Sequence, residues 1–180
     1  MESKARAELS RRLADVDELV EAHGALTGTA RGRRRKGPAI TRAGVVLLTA
    51  AMEAFVEELF EEACDKVFAV LADEERKALY KETSRRLNTA NVQNTNLLFF
   101  NLGVPWILSG VRWQNCSNAY FCERLDRLIE TRGRIAHGKQ PVVWLGRLRA
   151  WKTMVEKYAE VLERKVADHI ESTTGKPSGW

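Results

Sequence analysis

The stretch TRGRIAHGKQP (Thr131–Pro141) places Arg132, Arg134 and His137 within six residues, beside the apolar Ile135 and Ala136. An imidazole titrates near neutrality and can take or give a proton. A guanidinium is permanently charged and on a buried face must be paired or face a partner. These are groups that acid–base chemistry can use. Gly138 suits the left-handed position just past a helix C-terminus, and Pro141 blocks continuation. The residues alone leave two readings open. His137 is either a helix cap or a proton-transfer group, and Arg132 is either half of a structural ion pair or part of a catalytic pair with it.

The element that carries them should be a helix over Asn118–His137. Phe121, Leu125, Leu128 and Ile135 trace one apolar stripe along it, and Arg132 lies on that stripe. A charge on a buried face demands a partner. Arg134 lies off the stripe and should be solvated. Glu53 interrupts another apolar run, seven residues from Val46 and seven from Phe60. It is either a partner for this site or one more surface acid beside Glu57, Glu58, Glu61 and Glu62.

Helical periodicity extends over most of the chain. Leu9, Leu13, Val16, Val20 and His23 mark a first helix over about residues 2–24, with Gly24 as its stop. A long helix is expected over Ile40–Ala72, and Asp73 should cap a third. The Asn-rich middle should hold a short helix near Asn94–Asn101, with Asn91, Asn94 and Asn96 in turn and cap roles. A last helix should span Val142–Ser172. Trp144 and Trp151, seven apart on it, point to packing or a dimer seam. No segment alternates like a strand. The expectation is an all-α bundle of about five to six helices: an N-terminal helix (1–26), a basic linker (27–39), a helical domain (40–172) and a disordered tail (173–180).

Composition narrows the function. Hydrophobic residues make up 44% and charged residues 29% of the 180, as in a soluble globular domain. The longest apolar run, Val45–Met52, is too short to span a bilayer, and the N-terminus lacks a signal-like apolar stretch. A cytoplasmic protein without membrane partners is expected. Three scattered cysteines and three scattered histidines offer neither a disulfide framework nor metal-ligand spacing. No metal or cofactor is expected. The net charge of +5 is local. Arg31, Arg33, Arg34, Arg35, Lys36 and Arg42 lie in a stretch without acids, and the remaining 23 basic and 24 acidic residues nearly cancel. The Arg31–Lys36 run is either a solvated loop or a guide for a phosphate backbone.

RGRIAHG resembles the signature of the HEPN superfamily, an Arg followed after four to six residues by a His near a helix end. The match lies at Arg132, Ile135, Ala136, His137 and Gly138. The departure is Gly133, where members often carry Asn, Asp or His. ITRAGVVLLTAAMEAFVEELFEEA resembles the long early helix of these domains, with Glu53 inside it. NTNLLFFNLGVPWI is similar to a stretch of the subgroup associated with RNA-repair and defence gene clusters. The resemblance covers about Ile40 to Ser172. It implies an α-helical, usually homodimeric domain. Many members are metal-independent endoribonucleases that act as toxins or in antiviral defence. Others only bind RNA, a nucleotide or a partner protein. Carried onto this chain, His137 is the acid and base and Arg132 the phosphate stabiliser. Glu53 pairs with Arg132 or orients His137, with Gly133 and Arg134 alongside. RNA is the implied substrate, a second copy the implied partner, and an antitoxin protein a further partner for a toxin.

Replacing Arg31, Arg33, Arg34, Arg35 and Lys36 by Ala tests the guiding role. The salt dependence of single-stranded RNA binding should flatten by about 0.7 in log–log slope for each phosphate that the run no longer neutralises. An unchanged slope in filter-binding titrations would remove the run from the interface.

Overall fold

The computed structural model describes residues 2–27, 37–85 and 87–180. Among these, six helices form an all-α fold: α1 (Lys4–Thr27), α2 (Pro38–Leu71), α3 (Glu74–Ser84), α4 (Val92–Phe100), α5 (Asn118–Ala136) and α6 (Leu145–Thr174). The Arg31–Lys36 run lies outside the described residues.

α2 is the axis of the bundle, and α1, α3, α5 and α6 all pack on it. By length and composition it is apolar enough to cross a bilayer. Half of that stretch is buried in the core, while Val46, Leu47 and Val70 are exposed. Val45, Leu48, Met52, Phe55, Val56, Leu59 and Phe60 are fully buried. That is the environment in which a nearly continuous apolar helix is stable in water. Gly44 permits the close approach of α6: a Cβ there would sit 2.5 Å from Leu148 Cδ2.

The first-helix stripe is consumed within the chain. Ala5, Leu9, Leu13 and Val16 join the common core, so this face is not free to seam two copies. α1 therefore does not stand apart from the helices that follow it. Its N-terminal amides are capped by Ser3 Oγ, which accepts from the Arg6 N–H, and by Glu62, which accepts from Lys4 and Ala5. Arg12 grips Glu58 of α2 through paired hydrogen bonds of 2.8 and 2.6 Å. Gly24 does not end α1. The helix runs three residues further, and Thr27 Oγ1 closes the last turn on the His23 carbonyl. One glycine in open space costs a helix about 1 kcal/mol, too little to stop one anchored elsewhere.

Asp73 caps α3 by accepting from the Arg76 N–H, as its sequence position predicts. The asparagines take structural roles. Asn91 caps α4, Asn94 Nδ2 donates to the Thr89 carbonyl, and Asn96 Oδ1 accepts from the Leu108 N–H. The C-terminal residues are not frayed. α6 continues to Thr174, Ser178 is buried, and Lys66 Nζ sits 4.6 Å over the Trp180 ring. An aromatic at the end of a polar segment finds a cation to cover it, which local composition does not reveal. Trp144 is the N-cap of α6 rather than a turn within it. It is exposed, whereas Trp151 is buried, so the two do not form one seam.

Two glycine substitutions should move stability in opposite directions. Gly44→Ala forces Leu148 aside in a filled core and should cost about 1–3 kcal/mol. Gly133→Ala, with nothing within 4 Å of the added carbon, should gain about 0.5–1 kcal/mol from helix propensity. Urea unfolding of both variants measures the pair.

Candidate functional site

α5 presents the motif. Ser117 Oγ starts the helix by accepting from the Tyr120 N–H. Phe121, Leu125 and Leu128 anchor one face in the core, and Phe121 lies against Tyr158 of α6 at 5.3 Å between ring centroids. One turn beyond Leu128 the apolar stripe gives way to Arg132. Its guanidinium reaches α2, where Arg132 NH2 stands 3.3 Å from Glu53 Oε2. The Glu53 side chain is 13% exposed and that of Arg132 33%. Glu53 is therefore not one of the surface acids. Its neighbours have other tasks: Glu58 and Glu62 bind α1, and Glu61 accepts from Ser84 Oγ.

Burial pushes the Glu53 carboxyl above the usual carboxylate range, and Arg132 and the Ala90 backbone N–H only partly oppose it. Its second oxygen, Oε1, is buried without a hydrogen bond of good geometry. Arg132 uses one of its nitrogens here. With a third of its side chain open to solvent, it keeps donors for a further anion. Glu57, one turn along α2, is also raised, by burial first and then by Glu53 and Glu61.

His137 is the C-cap of α5. The closure is a two-bond cap of the Schellman type: Gly138 N–H bonds to the Ile135 carbonyl, and Lys139 N–H to that of Arg134. Gly138 takes the left-handed φ of 73°. The backbone of His137 is thus fixed, and its exposed imidazole makes no hydrogen bond to the described residues. Glu53 pairs with Arg132, and among the described residues no hydrogen bond or ion pair joins either of them to His137. Arg134 is exposed, off the stripe and without an ion pair among the described residues. Lys139, next in the loop, is exposed and unpaired in the same sense. The motif as read from sequence omits this lysine, although its position two residues after His137 is a signal that could have included it. Gly133 faces open space. Val142 and Trp144, exposed at 68% and 67%, follow the motif closely in the chain.

No described cluster of three His, Cys, Asp or Glu residues is placed to hold a metal ion. The cysteines are free. Burial drives the Cys64 thiol up to about 12, which makes it an inert core residue.

The sequence model of one family, described as RiboL-PSP-HEPN, matches residues 10–168. No curated protein and no solved structure matches the chain.

Loss of Arg132 leaves the Glu53 carboxylate buried and uncompensated. Arg132→Ala should cost about 1–3 kcal/mol at neutral pH, below the range of a fully buried pair because Arg132 is partly solvated. Glu53 already binds its proton more tightly in the folded chain than in the unfolded one, and losing Arg132 strengthens that preference. Protonation then relieves the defect, so the loss should shrink as pH falls to about 5. Denaturant midpoints of wild type and variant at both pH values measure it.

Proposed function

The chain belongs to the RiboL-PSP-HEPN family of all-α domains, whose setting is RNA-related and nuclease-type, and from that premise we propose that it is a metal-independent endoribonuclease working as a homodimer. The observation that supports this best is the pairing of a held arginine with a free histidine. Glu53 fixes Arg132 at 3.3 Å, and little more than one helical turn later a solvent-facing His137 ends the same helix.

RNA carries its own nucleophile, the 2′-OH beside each phosphodiester. One His137 removes that proton, and the 2′-oxygen attacks phosphorus. Charge builds on the equatorial oxygens of the pentacoordinate phosphate, where Arg132 stabilises it. The bond to the 5′-oxygen breaks, and a second imidazole, His137 of the other copy, gives that oxygen its proton. The products are a 2′,3′-cyclic phosphate and a 5′-hydroxyl. Each acid–base contribution is worth about 10²–10⁴ in rate, and a placed charge donor about 10²–10³. The exposed Arg134 and Lys139 supply further attraction for the phosphates.

A single chain presents one imidazole with nothing to aim it. Val142 and Trp144, soon after it in the chain, are exposed apolar residues of the kind that two copies bury. In the cell the activity is that of a toxin or an antiviral effector, and in the toxin case an antitoxin protein is the partner. A second reading rests on Gly133. The open space there stands where members of the resembled superfamily often carry a polar side chain, and a chain lacking it can bind RNA without cutting it.

Purified protein incubated with labelled single-stranded RNA in EDTA should cut and leave cyclic-phosphate ends. His137→Ala should lower the rate by at least about 10². Trp144→Asp should reduce both the sedimentation coefficient and the rate. RNA bound but uncut by wild type would select the second reading.

A further inference from the structure

A groove of about 580 Å³ opens between α4, the following turn and α5. That size is ordinary for a small-ligand site. Its walls are Leu97, Phe100 and Trp106, all large, apolar and exposed. Trp106 is 72% exposed and holds a left-handed backbone, φ 56°, in a turn closed by the Ser109 N–H on its own carbonyl at 2.7 Å. A bulky residue rarely adopts that conformation, and such strain collects at binding sites. The polar lining divides in two. Asn91 and Asn96 are engaged in the fold. Gln93 and Asp126 are exposed and have neither a hydrogen bond nor an ion pair among the described residues.

The groove shares α5 with the motif, and its lining begins one residue after Ala90. Asn91 follows Ala90, whose N–H acts on the Glu53 carboxylate that holds Arg132. Asp126 and Gly133 share one face of α5, two turns and about 10 Å apart. A base in the groove would therefore lie on the α5 face that carries Gly133.

We propose that this groove is the base-specificity subsite of the RNA site and that it takes guanine. The proposal rests on the ribonuclease reading. Unpaired bases of RNA are read by stacking on aromatic side chains and by hydrogen bonds along their pairing edge, and Trp106 and Phe100 supply the stacking surface. Asp126 decides the base. A carboxylate beside a polyanion is repulsive unless it meets N–H donors, and it can only accept. Guanine alone among the four bases presents two adjacent donors on its pairing edge, N1–H and the N2 amino group. Uracil offers one, and adenine and cytosine each place an acceptor beside their donor. Gln93 supplies both a donor and an acceptor for the remaining edge atoms. A second copy fits this surface less well, because it would bury the unpaired Asp126 and Gln93.

The test is calorimetric titration of the full chain with GMP, AMP, CMP and UMP in EDTA. GMP should bind at least about tenfold more tightly than the others. Trp106→Ala should weaken it by roughly 5–100-fold, the effect of losing one base–aromatic stack. Asp126→Asn should remove the preference, and His137→Ala should leave it intact. Both altered side chains are exposed, so circular dichroism should show unchanged folding. Equal or unmeasurable binding of the four, or a Trp106→Ala chain that changes sedimentation but not GMP affinity, overturns the proposal. The two readings separate cleanly: GMP preference without cleavage leaves the subsite standing and removes the ribonuclease, whereas His137-dependent cleavage without base preference does the reverse.

Discussion

A carboxylate in the middle of the long apolar helix α2 must be answered by a cation, and much of the site's arrangement follows from how Glu53 is answered. α2 is buried by neighbours on several sides, so few positions along it can keep a charge in water. Glu58, Glu61 and Glu62 solve the problem at the rim, with partners on α1 and α3. Glu53 sits deeper. Its ion-pair partner is Arg132, which is carried there by three buried residues on the same face of α5. Phe121, Leu125 and Leu128 hold the rotation of α5 at which Arg132 meets Glu53. Everything at the far end of α5, including the direction in which His137 leaves the helix, follows from that rotation.

On the ribonuclease reading the pair also joins stability to chemistry. A buried carboxylate held by a partly solvated guanidinium is not a strong fastening, because desolvation offsets most of the attraction. Burial lifting Glu53 despite its partner shows the same balance. What the arrangement secures is orientation. A long, flexible side chain is tied at one nitrogen, and its remaining donors point where an anion can reach them. Arg132 loses rotameric freedom on folding, before any substrate arrives, and that is the sense in which a site is preorganised.

This pairing is legible in the sequence because both charges sit on apolar stripes, where each demands an explanation. The helices are legible for a related reason: burial of one face imposes a period that survives in the residues, as Phe121, Leu125 and Leu128 show. Where sequence and structure part, the cause is physical. Gly24 carries a helix-stop signal, but three residues of extra helix cost little beside the packing of α1 on α2. Trp180 sits in a segment whose composition predicts disorder, because no local pattern announces Lys66. The groove is invisible for a stronger reason. Its walls come from an irregular segment and from a tryptophan in a left-handed conformation, and neither periodicity nor propensity describes such backbone. The surroundings of His137 within the chain are simpler than the motif implies, since Arg132 and His137 lie on different sides of the helix.

On the ribonuclease reading the α5 cap bears on how the activity is kept quiet. Gly138 pins the backbone under His137 and leaves the ring in water, so a solitary chain carries an imidazole that is ready but unaimed. On the dimeric reading, aiming it means freezing one side chain against a second copy, at a cost of about 1 kcal/mol in lost rotamers. Activity then tracks assembly. Well below the dissociation constant, halving the amount of protein lowers the assembled form about fourfold. The rate of synthesis would set the output, and dilution alone would silence it.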